Sequence, residues 1–255
     1  MITKREKWGL ALILTVITLS SIGIYSQGPI PQNPEYHLFK DARRIWGIPN
    51  FWNVISNLPF LVVGAWGLFK LKTDGALKIV ARMKLAYFLF FFGVISVSFG
   101  SGYYHLRPSN QTLFWDRLPM AIAFMALFSV VISEFISIGI GKVMLWPLIA
   151  GGIFSVAYWH YTELWGQGDL RSYGLVQFLP MLLMPIILIF FRSKCSRAAA
   201  YWWLLLAYAT AKVFEHFDGQ IYVLIGLTGG HAVKHIVAAL GVYVLLYAYQ
   251  RRVCT

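Results

Sequence analysis

Residues 85–106 read LAYFLFFFGVISVSFGSGYYHL. The run is apolar along its length, and apolar and polar residues do not alternate in it. That excludes a half-buried strand and leaves a segment long enough to cross a bilayer as a helix, which takes about 20 residues. Backbone inside lipid has no water to bond, so a span is either a helix or part of a closed barrel, and a continuous apolar run selects the helix.

Working outward, similar runs recur on both sides. Eight spans are predicted, over 8–26, 51–70, 85–106, 117–138, 143–161, 173–191, 201–217 and 229–249. The expected class is an all-α integral membrane protein. Composition agrees: 58% of residues are hydrophobic and 13% charged, whereas a soluble domain is about one quarter charged. The mean hydropathy is +0.64. There is no long linker and no internal repeat.

The net charge of +12 suggests nucleic acid, but the basic residues occupy the short gaps between apolar runs, so no nucleic-acid partner is expected. They mark topology instead. Lys4, Arg5 and Lys7, then Lys70, Lys72, Lys78, Arg82 and Lys84, then Lys142, then Arg192, Lys194 and Arg197, and finally Arg251 and Arg252 fall on one side of eight spans. That side and both termini are expected to be cytoplasmic. The first run also has the form of a signal peptide, but Tyr25-Ser26-Gln27-Gly28 lacks a small-x-small cleavage site, so an uncleaved anchor is expected. Cys195 and Cys254 suggest no disulfide framework. No protein partner is inferable.

All six histidines fall on the opposite, outer side. An ionisable group at membrane depth is a functional candidate by default. His231 and His235 are one helical turn apart on one face, a spacing that suits a shared metal ion, with Zn²⁺ the borderline cation imidazoles favour. Two interfacial histidines near water are the plainer alternative. His105 ends its span, with Ser101 four residues earlier on the same face. Asp116 opens the next span. Ser101 also suits helix packing beside Gly100 and Gly102, and Asp116 suits a helix N-cap. Asn53, Ser56 and Asn57 recur at helical spacing and are expected to face the bundle interior, as helix–helix glue or beside substrate or ligating histidines. Lys212 is expected to pair with Glu215 or His216, and His160 with Glu163 in a similar way. Lys234 either snorkels outward or meets an acid.

The stretches Phe51-Trp52-Asn53-Val54-Ile55-Ser56-Asn57, Gly100-Ser101 with His105, Asp116-Arg117-Leu118-Pro119-Met120 and His231-Ala232-Val233-Lys234-His235 together resemble the alkaline ceramidase family. That family belongs to a superfamily of membrane hydrolases that includes the adiponectin-type receptors. The resemblance runs from about residue 35 to the end. It implies a seven-helix hydrolase domain over 28–255 preceded by a transmembrane anchor over 1–27. It also implies zinc held by His105, His231 and His235, a site lined by Ser101 and Asp116, and hydrolysis of an N-acyl amide such as ceramide. The chain departs from the family pattern at Asn50, where a Glu is usual, at Arg117, where an acid is usual, and at Lys234, where an aromatic is frequent. Calcium dependence is therefore open, with Asp41 and Asn50 as the oxygen donors on offer.

The chemistry these expectations describe is metal-assisted attack of water on a lipid carbonyl. Asp116 serves as general base, or else orients a ligand, and Ser101 steadies the oxyanion. A lipid esterase or phospholipase of the same superfamily, a receptor with a structural zinc, and a transporter are the competing functions.

Overall fold

The computed structural model describes residues 2–254. The described chain is helical and has no β-strand. Its helices are α1 (Lys4–Tyr25), α2 (Phe51–Ile55), α3 (Leu58–Lys72), α4 (Lys84–Leu106), α5 (Asn110–Val131), α6 (Ile138–Leu164), α7 (Arg171–Phe190), α8 (Ala199–His216), α9 (Asp218–Ile225) and α10 (Gly230–Arg251). Helices α2 and α3 form one span, interrupted at Ser56–Asn57 just before Pro59, which has no N–H to continue the ladder. Helix α5 runs on through a π-helical turn, Ile132–Ile136.

Seven of the described helical segments are long and apolar enough to cross a membrane: α1, α2–α3, α4, α5 with its π turn, α6, α7 and α10. The remaining predicted span, 201–217, folds as α8 and is more polar, because Lys212, Glu215 and His216 occupy its last turns.

The predicted start of the fourth span, residue 117, is corrected by seven residues. The helix begins at Asn110 rather than near Asp116. Pro108 stops α4 from continuing, and Ser109 caps α5: its hydroxyl accepts the Thr112 N–H while the Thr112 hydroxyl accepts the Ser109 N–H. Asp116 is therefore no N-cap; it lies inside α5, nearly two turns from its start.

Helix α5 is the axis of the bundle, packed by α4, α6 and α7, while α10 pairs with α8 and α3. Helix α1 rests mainly on α7. Two glycines set the crossings that matter for the site. A Cβ on Gly100 would lie 1.9 Å from the Trp115 carbonyl oxygen, and one on Gly230 would lie 2.1 Å from that of Phe214. Only glycine permits backbones this close, so α4 meets α5 beside Ser101, and α10 meets α8 beside His231.

The two ends of the bundle differ in chemistry. At the basic end the Glu134 carboxylate is fully buried and accepts from Tyr87, from Tyr201 at 2.9 Å and from two nitrogens of Arg252 at 2.6 and 2.9 Å. Here Cys195 and Cys254 form a disulfide, contrary to the sequence expectation. The returning C-terminal strand of chain explains it: Ser196 N–H bonds to the Val253 carbonyl and Val253 N–H to the Ser196 hydroxyl, which aligns the two cysteines. The histidines lie toward the other end, about 30 Å away along α4 at 1.5 Å per residue.

Candidate metal centre

His105 is in the last turn of α4, and His231 and His235 are in the first two turns of α10. One nitrogen from each lies within 4.8 Å of the other two. The ring centroids are 5.0, 5.1 and 5.3 Å apart. Their exposures are only 1%, 6% and 7%, so bulk water does not solvate them. No other cluster of three or more histidine, cysteine or carboxylate donors with metal-ligand spacing occurs among the described residues.

Hydrogen bonding decides whether the rings suit a metal. The Ser56 hydroxyl donates to the Asn53 carbonyl at 3.2 Å and lies 2.8 Å from His235 Nδ1. With its one proton engaged, it accepts from Nδ1–H, which leaves Nε2 of His235 as the bare lone pair. The buried Nδ1 of His105 has no hydrogen-bond partner. Three close imidazoles, one with a fixed tautomer and one with an unused nitrogen, could hold a metal ion.

Backbone contacts hold the ligands in place. Asp218 Oδ1 accepts the His231 N–H at 2.8 Å, and the Asn50 amide donates to the His105 carbonyl at 2.8 Å. Asn50 is in the left-handed region at φ 48°, which asparagine tolerates better than most residues. Phe39 covers the group, its ring 4.7 Å from both His105 and His231.

Ser101 and Asp116 are both buried. They line, with His235 and Lys234, a cavity of about 500 Å³. Its walls are mainly apolar, with Phe90, Val94, Val97, Phe124, Leu127 and Val242 among them. Residues of α7 and α8 both face it, yet α7 packs on α1, α5 and α6 whereas α8 packs on α10. Helices α7 and α8 thus flank the cavity without packing closely on each other, which leaves a lateral seam between them. A smaller cavity of about 240 Å³ is lined by His231, His216, Asp218 and Lys40.

Glu215 and Tyr36 border both cavities. The Glu215 carboxylate pairs with Lys212, as expected, and also with Lys234 at 2.5 Å. Lys234 therefore turns inward to an acid and does not snorkel. Tyr36 donates to Glu215 at 3.2 Å. Desolvation, followed by the Glu215 charge, pushes the Tyr36 phenol well above its ordinary range, so it stays a donor.

The other sequence candidates are placed differently. Asn53 donates to the Asp41 carbonyl and Asn57 to the Asn53 carbonyl, so both amides stitch the chain entering α2. Both oxygens of Asp41 are engaged by Arg43 at 2.8 Å, and Asn50 is committed to His105. Neither belongs to an oxygen-rich cluster. The expected His160–Glu163 pair is absent. His160 Nδ1 has no partner, and Glu163 accepts from the Gln32 N–H, Asn110 and Trp159. Tyr36 and Phe39 were not anticipated, because Tyr36 sits in an isolated 3₁₀ turn, Pro34–His37, and Phe39 in the irregular chain after it, and no periodicity reveals their path.

No protein-family profile matches this chain, and no curated protein matches it.

Proposed function

We propose that the chain is a zinc-dependent membrane hydrolase that cleaves the amide of a ceramide-like N-acyl lipid into a fatty acid and an amine, the activity of the alkaline ceramidase family it resembles. One observation carries this: His235 of the buried three-histidine group lines, with Ser101 and Asp116, an apolar cavity of about 500 Å³. Such a cavity accommodates an acyl chain and keeps water from it.

His105, His231 and His235 would hold the ion. When bound, zinc supplies Lewis-acid polarisation of a carbonyl and acidifies water. Asp116 takes the proton of the attacking water on its carboxylate and returns it to the departing amine. The Ser101 hydroxyl donates to the carbonyl oxygen as negative charge develops there. Phe39 caps the histidines and limits solvent access. The acyl chain enters through the seam between α7 and α8.

The same proposal sets eight spans, with the basic end cytoplasmic and the histidines toward the outer side. Reporter fusions to the 26–50 segment test this, and a cytoplasmic signal there overturns it.

The deciding experiment is mass spectrometry of lipids incubated with the pure, reconstituted protein, with and without a zinc chelator. Amide cleavage that stops on chelation and falls about 10²–10⁴-fold in Asp116→Asn supports the proposal. Turnover confined to ester lipids, or turnover indifferent to chelation, refutes it.

A further inference from the structure

Arg117 follows Asp116 on α5 and is only 6% exposed. Its Nη2 donates to Gln32 Oε1 at 2.6 Å. The guanidinium lies 4.2 Å from the Trp159 ring, 4.8 Å from Tyr173 and 5.7 Å from Tyr36. Aromatic faces favour the charge but supply no anion. No carboxylate forms an ion pair with it among the described residues, and its buried Nη1 has no hydrogen-bond partner.

This is not how the chain treats its other buried cations. Arg252 meets Glu134, and Lys234 meets Glu215. A buried guanidinium without an anion is costly, and a free N–H donor adds to that cost. Arg117 also lines the cavity that Ser101, Asp116 and His235 line. Counted as ionised, the groups on that cavity are three cations, Arg117, Lys212 and Lys234, against two acids, Asp116 and Glu215. One positive charge is unmatched, and the two lysines already share Glu215.

We propose that Arg117 is the receptor for a carboxylate on the amine side of the substrate, so that the preferred lipid is an N-acyl amino acid. This rests on the amidase function proposed above and narrows its substrate. The acyl chain follows the apolar wall, the amide faces the histidines, and the carboxylate binds the free side of Arg117. Water adds to the amide carbon, the C–N bond breaks, and the proton carried by Asp116 ends on nitrogen. The products are one fatty acid and one free amino acid. With the ion removed, a monoanion balances the single unmatched charge of the lining, whereas a phosphate dianion exceeds it.

The test uses full-length protein in phosphatidylcholine nanodiscs. Binding of N-oleoylglycine, N-oleoylglycinamide and the phosphate ester of N-oleoylethanolamine is measured by calorimetry after chelation, so that nothing is turned over. Hydrolysis of the same lipids and of ceramide is measured separately with zinc. The wild type is expected to bind the carboxylate about 10–100-fold more tightly than its neutral amide. Arg117→Gln loses that preference while still binding the glycinamide, and Arg117→Lys recovers part of it. No wild-type preference for the carboxylate, stronger binding of the phosphate, or an undiminished preference in Arg117→Gln overturns the proposal. The wild-type comparison decides even if the glutamine variant does not fold. Cleavage of ceramide without carboxylate preference sinks this inference and leaves the amidase standing. An Arg117-dependent preference without any cleavage does the reverse.

Discussion

Ser56→Ala should weaken zinc binding without removing a ligand. Ser56 Oγ is the one hydrogen-bond partner of His235 Nδ1, at 2.8 Å, and both residues are buried. Alanine leaves that N–H without an acceptor in a place water does not reach, and frees the ring to rotate or exchange tautomers. An unsatisfied buried group costs about 1–3 kcal/mol. Loss of the hydrogen bond that orients a ligating histidine typically costs ~10–100-fold in metal affinity, or about 1.4–2.8 kcal/mol, so two independent routes give the same size. The assay is a competition titration of zinc between the detergent-solubilised protein and a chelator of known affinity, with circular dichroism to confirm the helices. Ser56→Thr, which keeps the hydroxyl, should stay close to wild type, and His235→Ala should lose the site. Equal zinc affinity in Ser56→Ala and wild type would show that the hydroxyl does not set the tautomer, and the choice of Nε2 as donor would fall.

Three further perturbations follow from the packing. Gly100→Ala places a Cβ 1.9 Å from the Trp115 carbonyl oxygen, so α4 and α5 must part by about an ångström, at a cost of roughly 1–3 kcal/mol. Thermal unfolding should register that loss, and zinc affinity should fall with it because His105 moves with α4; an unchanged melting temperature refutes the crossing. Glu134→Gln removes the charge opposite Arg252, and breaking a buried pair costs about 3–5 kcal/mol. Its melting temperature should drop while zinc stoichiometry stays at the wild-type value, since the carboxylate is at the far end of the bundle; loss of zinc together with stability would contradict that separation. Cys195 and Cys254 are bridged, so a membrane-permeant maleimide should label them in living cells only after added reductant. Labelling without reductant would show that the bridge is open in the cell, as a reducing compartment at the basic end would make it.

The helices were legible because lipid-compatible sequence is nearly unambiguous: a long apolar run has few alternatives to a helix. Helix starts were less so. Polar residues at Asn110–Thr112 and at Asp116–Arg117 interrupt the apolar run, so hydropathy began that helix late, although Pro108 and the Ser109–Thr112 cap marked the true start. The His231–His235 pair was readable from local spacing, since four residues make one turn. That His105 completes the group depended on the crossing of helices, and composition does not reveal that. Lys234 and Glu215 were each conspicuous, but their pairing joins two helices. The Cys195–Cys254 bridge, across 59 residues, depends on where the C-terminal tail returns. Ser56 was expected to face the interior, yet its use as the acceptor for His235 depends on Asn53 taking its proton, a geometric fact and not a pattern.

The two ends of the bundle treat buried polarity in opposite ways, and that contrast bears on which end acts. At the basic end Glu134, Tyr87, Tyr201, Tyr249 and Arg252 satisfy one another in a closed network. Such a network rigidifies and leaves little to offer a ligand. At the histidine end, buried atoms of Asn53, Asn57, His105 and Arg117 lack partners. Native proteins leave few such atoms, and each calls for a reason. Stability alone would favour apolar replacements there, because a half-satisfied polar cluster is worse than a hydrocarbon one. The unpaired His105 nitrogen is what a cation needs, and the unpaired Arg117 donor is what an anion needs. The basic end is not wholly closed, since the buried Ser133 hydroxyl also has no partner, but only the histidine end pairs an open site for a cation with an open donor for an anion, and that pairing favours it as the place of the proposed chemistry.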